Sequence, residues 1–75
     1  MVSSKTIDQL GIGESAVIKE LNGDHPSCLR LMDLGFTPGQ QITLMSVAPM
    51  RDPIAIALRG TIIALRRKDA SCIKV

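Results

Sequence analysis

The sequence predicts a small, mainly β barrel of about five strands, with a short helix between the first and second strands and a single helical turn at the start. Three observations predict it. Apolar side chains alternate with small or polar ones over residues 41–48 and 54–59, which is the period of a half-buried strand. Turn-forming residues recur at short intervals, at Asn22-Gly23-Asp24, Pro38-Gly39 and Gly60. One stretch, residues 26–34, changes to a helical period. Five short strands with small Ala beside Ile and Leu favour a sheet closed on itself over an open one. A chain of 75 residues is expected to form one domain, 1–75, with a modest core and residues 1–5 loose.

Each element has a local cause. Thr6 and Gln9 have the spacing of a capping box, so a helical turn is expected there, with Ile7 and Leu10 facing inward and Gly11 and Gly13 ending it. Residues 15–21 read as the first strand. In residues 26–34, Cys28, Leu31 and Met32 fall at i, i+3 and i+4, opposite Arg30 and Asp33, so these three are expected to face the core. Pro26 suits the first turn of that helix and Gly35 its left-handed stop. Pro38 and Gly39 suit the two central positions of a type II turn. Residues 41–48 and 54–59 then supply two strands, with Ile42, Leu44, Ile54, Ile56 and Leu58 inward. Gly60 returns the chain into residues 61–66, Lys68 to Ser71 reads as a turn, and residues 72–75 form a last strand.

Composition narrows the function. The chain is 45% hydrophobic with a formal net charge of +2 and one aromatic residue, which suits an aliphatic globule. No apolar run nears the roughly 20 residues of a membrane helix, and the start lacks a signal peptide's apolar core, so a cytoplasmic protein not itself inserted in the membrane is expected. Cys28 and Cys72 lie far apart and read as two buried thiols. One His, no Tyr and no phosphate-binding Gly loop leave nothing to assemble as nucleophile, base and orienter, so no enzyme is expected. With Phe36 the only aromatic, neither proline-rich peptides nor nucleic acid is an expected ligand. The basic run Arg66-Arg67-Lys68 reads as a solvated surface.

The ordered motifs Gly13-Glu14-Ser15-Ala16, Leu29 through Gly39 ("LRLMDLGFTPG"), Asp52-Pro53-Ile54 and Ile63-Ala64-Leu65-Arg66 resemble the FeoA family along almost the whole chain. The resemblance implies an SH3-like barrel with a helix packed across it. It also implies a cytoplasmic accessory role in bacterial ferrous-iron uptake, with the FeoB membrane GTPase transporter as partner. The module is similar as well to the C-terminal domain of metal-dependent repressors. There it follows a DNA-binding domain, for which the residues before Ile7 leave no room.

Two classes of site follow. The first is protein docking, with Leu34 beside the polar arc of the helix and Met45, Met50 and Arg51 in or near the 48–51 loop as candidate partner-binding residues. The second is a small sensor for ferrous iron or zinc, with His25 and Cys28 as candidate ligands, although paired ligands at regular spacing are absent from the sequence. His25 is otherwise expected to face water, and Asp33 to pair with Arg30 on the helix surface. The last strand, residues 72–75, offers an edge for weak self-association that Lys74 opposes.

Overall fold

The computed structural model describes residues 5–75. A 3-10 turn, Ile7–Gln9, precedes strands β1 (Ser15–Val17) and β2 (Glu20–Leu21). Helix α1 (Cys28–Asp33) leads to β3 (Gln41–Val47), β4 (Ile54–Leu58) and β5 (Thr61–Leu65). A one-turn helix α2 (Arg67–Ala70) and strand β6 (Ile73–Lys74) complete the order. Of the start expected to be loose, residues 1–4 lie outside the described residues, whereas Lys5 is held: its carbonyl accepts the Val75 N–H at 2.8 Å.

The first turn forms where the capping box predicts it, the Thr6 N–H donating to Gln9 Oε1 at 3.0 Å. Ile7 and Leu10 are buried, as their spacing requires. Residues 15–21, expected as one strand, pair with two different neighbours. β1 runs antiparallel to β3, and β2 antiparallel to β6. Ile18, fully buried between them, still exchanges backbone bonds with the β3 side through Gln40 and Gly39, while the Lys19 N–H already donates to Lys74 at 2.7 Å. Twist accounts for the switch, because a strongly twisted segment swings away from one partner and into reach of another.

The result is a four-stranded sheet, β1-β3-β4-β5, and a two-stranded sheet, β2-β6, around a single buried cluster. The mainly β, SH3-like class stands, with six strands among the described residues where about five were expected. The expected hydrogen-bonded closure does not form. Residues 68–71 are not a plain turn: α2 occupies Arg67–Ala70, and this helical turn carries the chain from β5 to β6 without pairing them. Among the described residues one side of β5 therefore has no strand partner.

Helix α1 is shorter than its period suggested and ends in a Schellman arrangement. The Phe36 N–H donates to the Leu31 carbonyl and the Gly35 N–H to that of Met32, both at 3.0 Å, with Gly35 at φ +110°. Leu31 and Phe36 are both fully buried and supply the apolar contact that accompanies such an ending. A Cβ at Gly35 would meet Leu58 Cδ2 at 3.2 Å in a backbone conformation side chains disfavour. Gly35→Ala is accordingly expected to cost about 1–3 kcal/mol, read by chemical denaturation. The turn after it closes as expected, the Gln40 N–H donating to the Thr37 carbonyl at 3.2 Å across Pro38 and Gly39.

A β-bulge at Met45 corrects the simple alternation of β3. Leu44 pairs with Ile56, yet Ser46 pairs with Ala55, so Met45 is the extra residue. Beyond it the faces exchange: Ser46 turns outward and Val47 packs on the core.

Candidate functional site

Met32 was expected to face the core with Cys28 and Leu31, but only Cys28 and Leu31 are buried. On the outside of α1, Leu29 is 77% exposed, Met32 42% and Leu34, its C-terminal cap, 46%. Leu29 and Met32 stand one helical turn apart and form a single ridge. A helix of six residues resting on one buried stripe has no second layer to cover this side. Sequence spacing alone assigned Met32 to the wrong face because the apolar arc of this helix is wider than the surface it covers.

The other docking candidates lie elsewhere. Gly35, next to Leu34, packs toward Leu58 at one end of β4. Met45 and the loop bearing Met50 and Arg51 lie toward the opposite, Ile54 end. Met50 is 87% exposed, and Arg51 is exposed in a left-handed conformation with φ +71°. The loop is tied back by the Arg51 N–H to the Ala48 carbonyl at 2.7 Å and the Ala48 N–H to that of Pro53 at 3.0 Å. Five strand residues separate Leu34 from this loop, so the four positions do not make one patch.

The metal candidates are engaged in structural bonds. His25, expected in water, is partly buried. Its Nε2 is 2.8 Å from the Lys68 carbonyl, and its Nδ1 accepts the Ser27 N–H at 3.1 Å. A carbonyl only accepts, so Nε2 carries the hydrogen and neither ring nitrogen offers a lone pair. Cys28 Sγ lies 3.9 Å from Met32 Sδ, and the buried Cys72 thiol donates to the Asn22 carbonyl at 3.5 Å. Burial, with Cys28 alongside, pushes the Cys72 thiol up and disfavours the thiolate a metal requires. Among the described residues no three His, Cys, Asp or Glu side chains converge to hold a metal. His25 and Cys28 thus do not fit a ferrous-iron or zinc site.

The charges that matter were not evident from sequence. Arg30 pairs with Asp69 at 3.0 Å, not with Asp33. Asp69 is buried and also accepts the Ser27 hydroxyl at 2.5 Å, which joins the start of α1 to α2. The Ser27 hydroxyl, aided by the Arg30 guanidinium, outweighs desolvation and holds the Asp69 carboxyl below the usual range. Arg67, read as one of three surface charges, is a strap. Its Nη1 donates to the Asp8 carbonyl at 2.7 Å, its Nε to the Arg51 carbonyl, and its backbone N–H to Asp52 Oδ1 at 2.9 Å. No spacing signals these partners, which lie 15 to 59 residues away.

These features define an SH3-like module that presents apolar surface on its packed helix. The chain belongs to the FeoA family, whose domain model matches residues 5–75. A fusion of Fe(2+) transport protein A with the Fe(2+) transporter FeoB from Porphyromonas gingivalis is 35% identical over 69 residues, covering 92% of this chain. The chain spans only 8% of that relative's length. A FeoA-like protein from Clostridium acetobutylicum superposes with a TM-score of 0.90 at 28% identity, over 99% of this chain and 86% of the other. The zinc complex of Stenotrophomonas maltophilia FeoA, described as a prokaryotic SH3 domain protein, does so with a TM-score of 0.81 at 25% identity, over 92% and 86%. A manganese-dependent transcriptional repressor, 16% identical, shares the fold alone, at a TM-score of 0.86 over 100% of this chain and 37% of its own. The family is associated with ferrous-iron transport. No helix among the described residues is long and apolar enough to cross a membrane.

Proposed function

We propose that the chain is an accessory protein of ferrous-iron uptake that docks onto the cytosolic region of a FeoB-type membrane GTPase through the outer face of α1. The observation that carries this reading is the ridge of Leu29 and Met32, two exposed apolar side chains one turn apart on α1, with half-exposed Leu34 at the helix end on its opposite flank. Grouped apolar exposure of this kind marks an interaction site, and an apolar helix face suits a hydrophobic groove on a partner. The fusion of the two proteins in one relative supports the choice of partner, since a single chain keeps both at high local concentration. Met45, Met50 and Arg51, at the other end of β4, form a separate candidate contact. The zinc held by one relative does not favour a sensor here, because His25 spends both ring nitrogens on backbone groups.

The test is a titration of the full chain against the purified cytosolic region of the transporter. Leu29→Asp and Leu34→Asp, at positions 77% and 46% exposed, are expected to weaken binding about tenfold or more, as loss of an interface anchor does. Met50→Asp reports on the loop separately. Failure of the unmodified chain to bind, or binding indifferent to both helix variants, would refute docking by this face.

A further inference from the structure

Among the described residues β5 is an edge of the four-stranded sheet, paired with β4 alone. The β4–β5 hairpin turns through Arg59 and Gly60, at φ +53° and +83°, as a two-residue type I′ turn requires. Such a turn makes Leu58 and Thr61 a hydrogen-bonded pair, so the pairs Ile56 with Ile63 and Ile54 with Leu65 are bonded as well. Ile62 and Ala64 alternate with these and aim their N–H and C=O groups away from β4. Among the described residues no backbone group pairs with them there. Thr61, Ile62 and Ala64 are exposed, Ile62 by 62%, so none of the described residues covers them.

Charge indicates what this edge accepts. Exposed Arg59 stands at one end and has no carboxylate partner among the described residues, while exposed Arg66 stands at the other, 3.8 Å from Asp52.

We infer that β5 takes up an extended segment of the docking partner, an apolar strand with acidic residues at its ends, through four backbone hydrogen bonds to Ile62 and Ala64. The main-chain bonds supply affinity and the two arginines select the charge of the guest. The inference rests on the docking reading for the identity of the partner.

Hydrogen exchange of the full chain, alone and with the transporter's cytosolic region, tests it. The Ile62 and Ala64 amides are expected to exchange freely in the isolated chain and at least tenfold more slowly in the complex. Ala64→Pro removes an N–H that β4 does not use, and proline is tolerated on such an edge. It is expected to leave thermal stability close to wild type and to weaken binding at least tenfold. Arg59→Glu should weaken binding and flatten its salt dependence, and it keeps the strand intact should the proline variant fold poorly. Binding that leaves both amides unprotected overturns the edge proposal while docking by α1 stands. Protection that rises with concentration of the chain alone assigns the edge to self-association and also overturns it. Absence of any complex overturns both readings.

Discussion

Phe36→Ala is expected to remove about 3–5 kcal/mol of stability. Phe36 is the only aromatic side chain and is fully buried, so its loss leaves the largest void a single truncation can make here. Its backbone also ends α1 by bonding to Leu31, and both side chains are fully buried in the same core cluster. The lost apolar burial and the loosened helix end therefore add. For a chain of 75 residues total stability is about 4–11 kcal/mol, so the loss takes from about a quarter of it to all of it, and the variant unfolds outright only at the low end of that range. Circular dichroism and urea unfolding would measure this, and a midpoint near wild type would show that Phe36 does not anchor the helix. Phe36→Leu should recover more than half of the loss, because it refills most of the volume without a polar group.

Asp69→Asn should cost about 2 kcal/mol, mainly through the Ser27 hydrogen bond, since bonds to a charged group are worth roughly 1.5–3 kcal/mol. The Arg30 contribution is the smaller, because that guanidinium is exposed and its ion pair is screened. The same carboxylate sets an acid dependence. Its folded-state pKa is depressed, so its stabilising effect is present above the unfolded value of about 3.9 and is lost as pH falls through the folded value. The wild type should lose stability on acidification below about pH 4, and the Asn variant should show a flatter curve there. Identical slopes for the two proteins would show that another carboxylate carries the acid transition.

Much of the fold was legible from local chemistry. The Thr6–Gln9 box, the Gly35 stop and the Pro38-Gly39 turn each act within a few residues and form where the sequence places them. The alternation of Ile54, Ile56 and Leu58 likewise assigns those side chains to the core. The Met45 bulge was not legible, because it depends on the register against β4 and not on β3 alone. Nor was the role of Met32, since an apolar arc shows which side chains are able to be buried but not how much of the arc another element covers. His25 and Cys28 looked like ligands from their residue types. Only the folded positions of Lys68 and Ser27 reveal that the imidazole is already bonded.

The amino-acid order alone settled the mainly β class, the place of α1 and the family, because these follow from short-range periods, turn residues and motifs that neighbours along the chain enforce. The tertiary structure decided which surfaces stay uncovered: the α1 ridge, the outer side of β5 and the Asp69 and Arg67 ties. Their partners lie up to 59 residues distant, and contacts at that separation come from the sum of twist, bulge and strand order, which no single segment encodes.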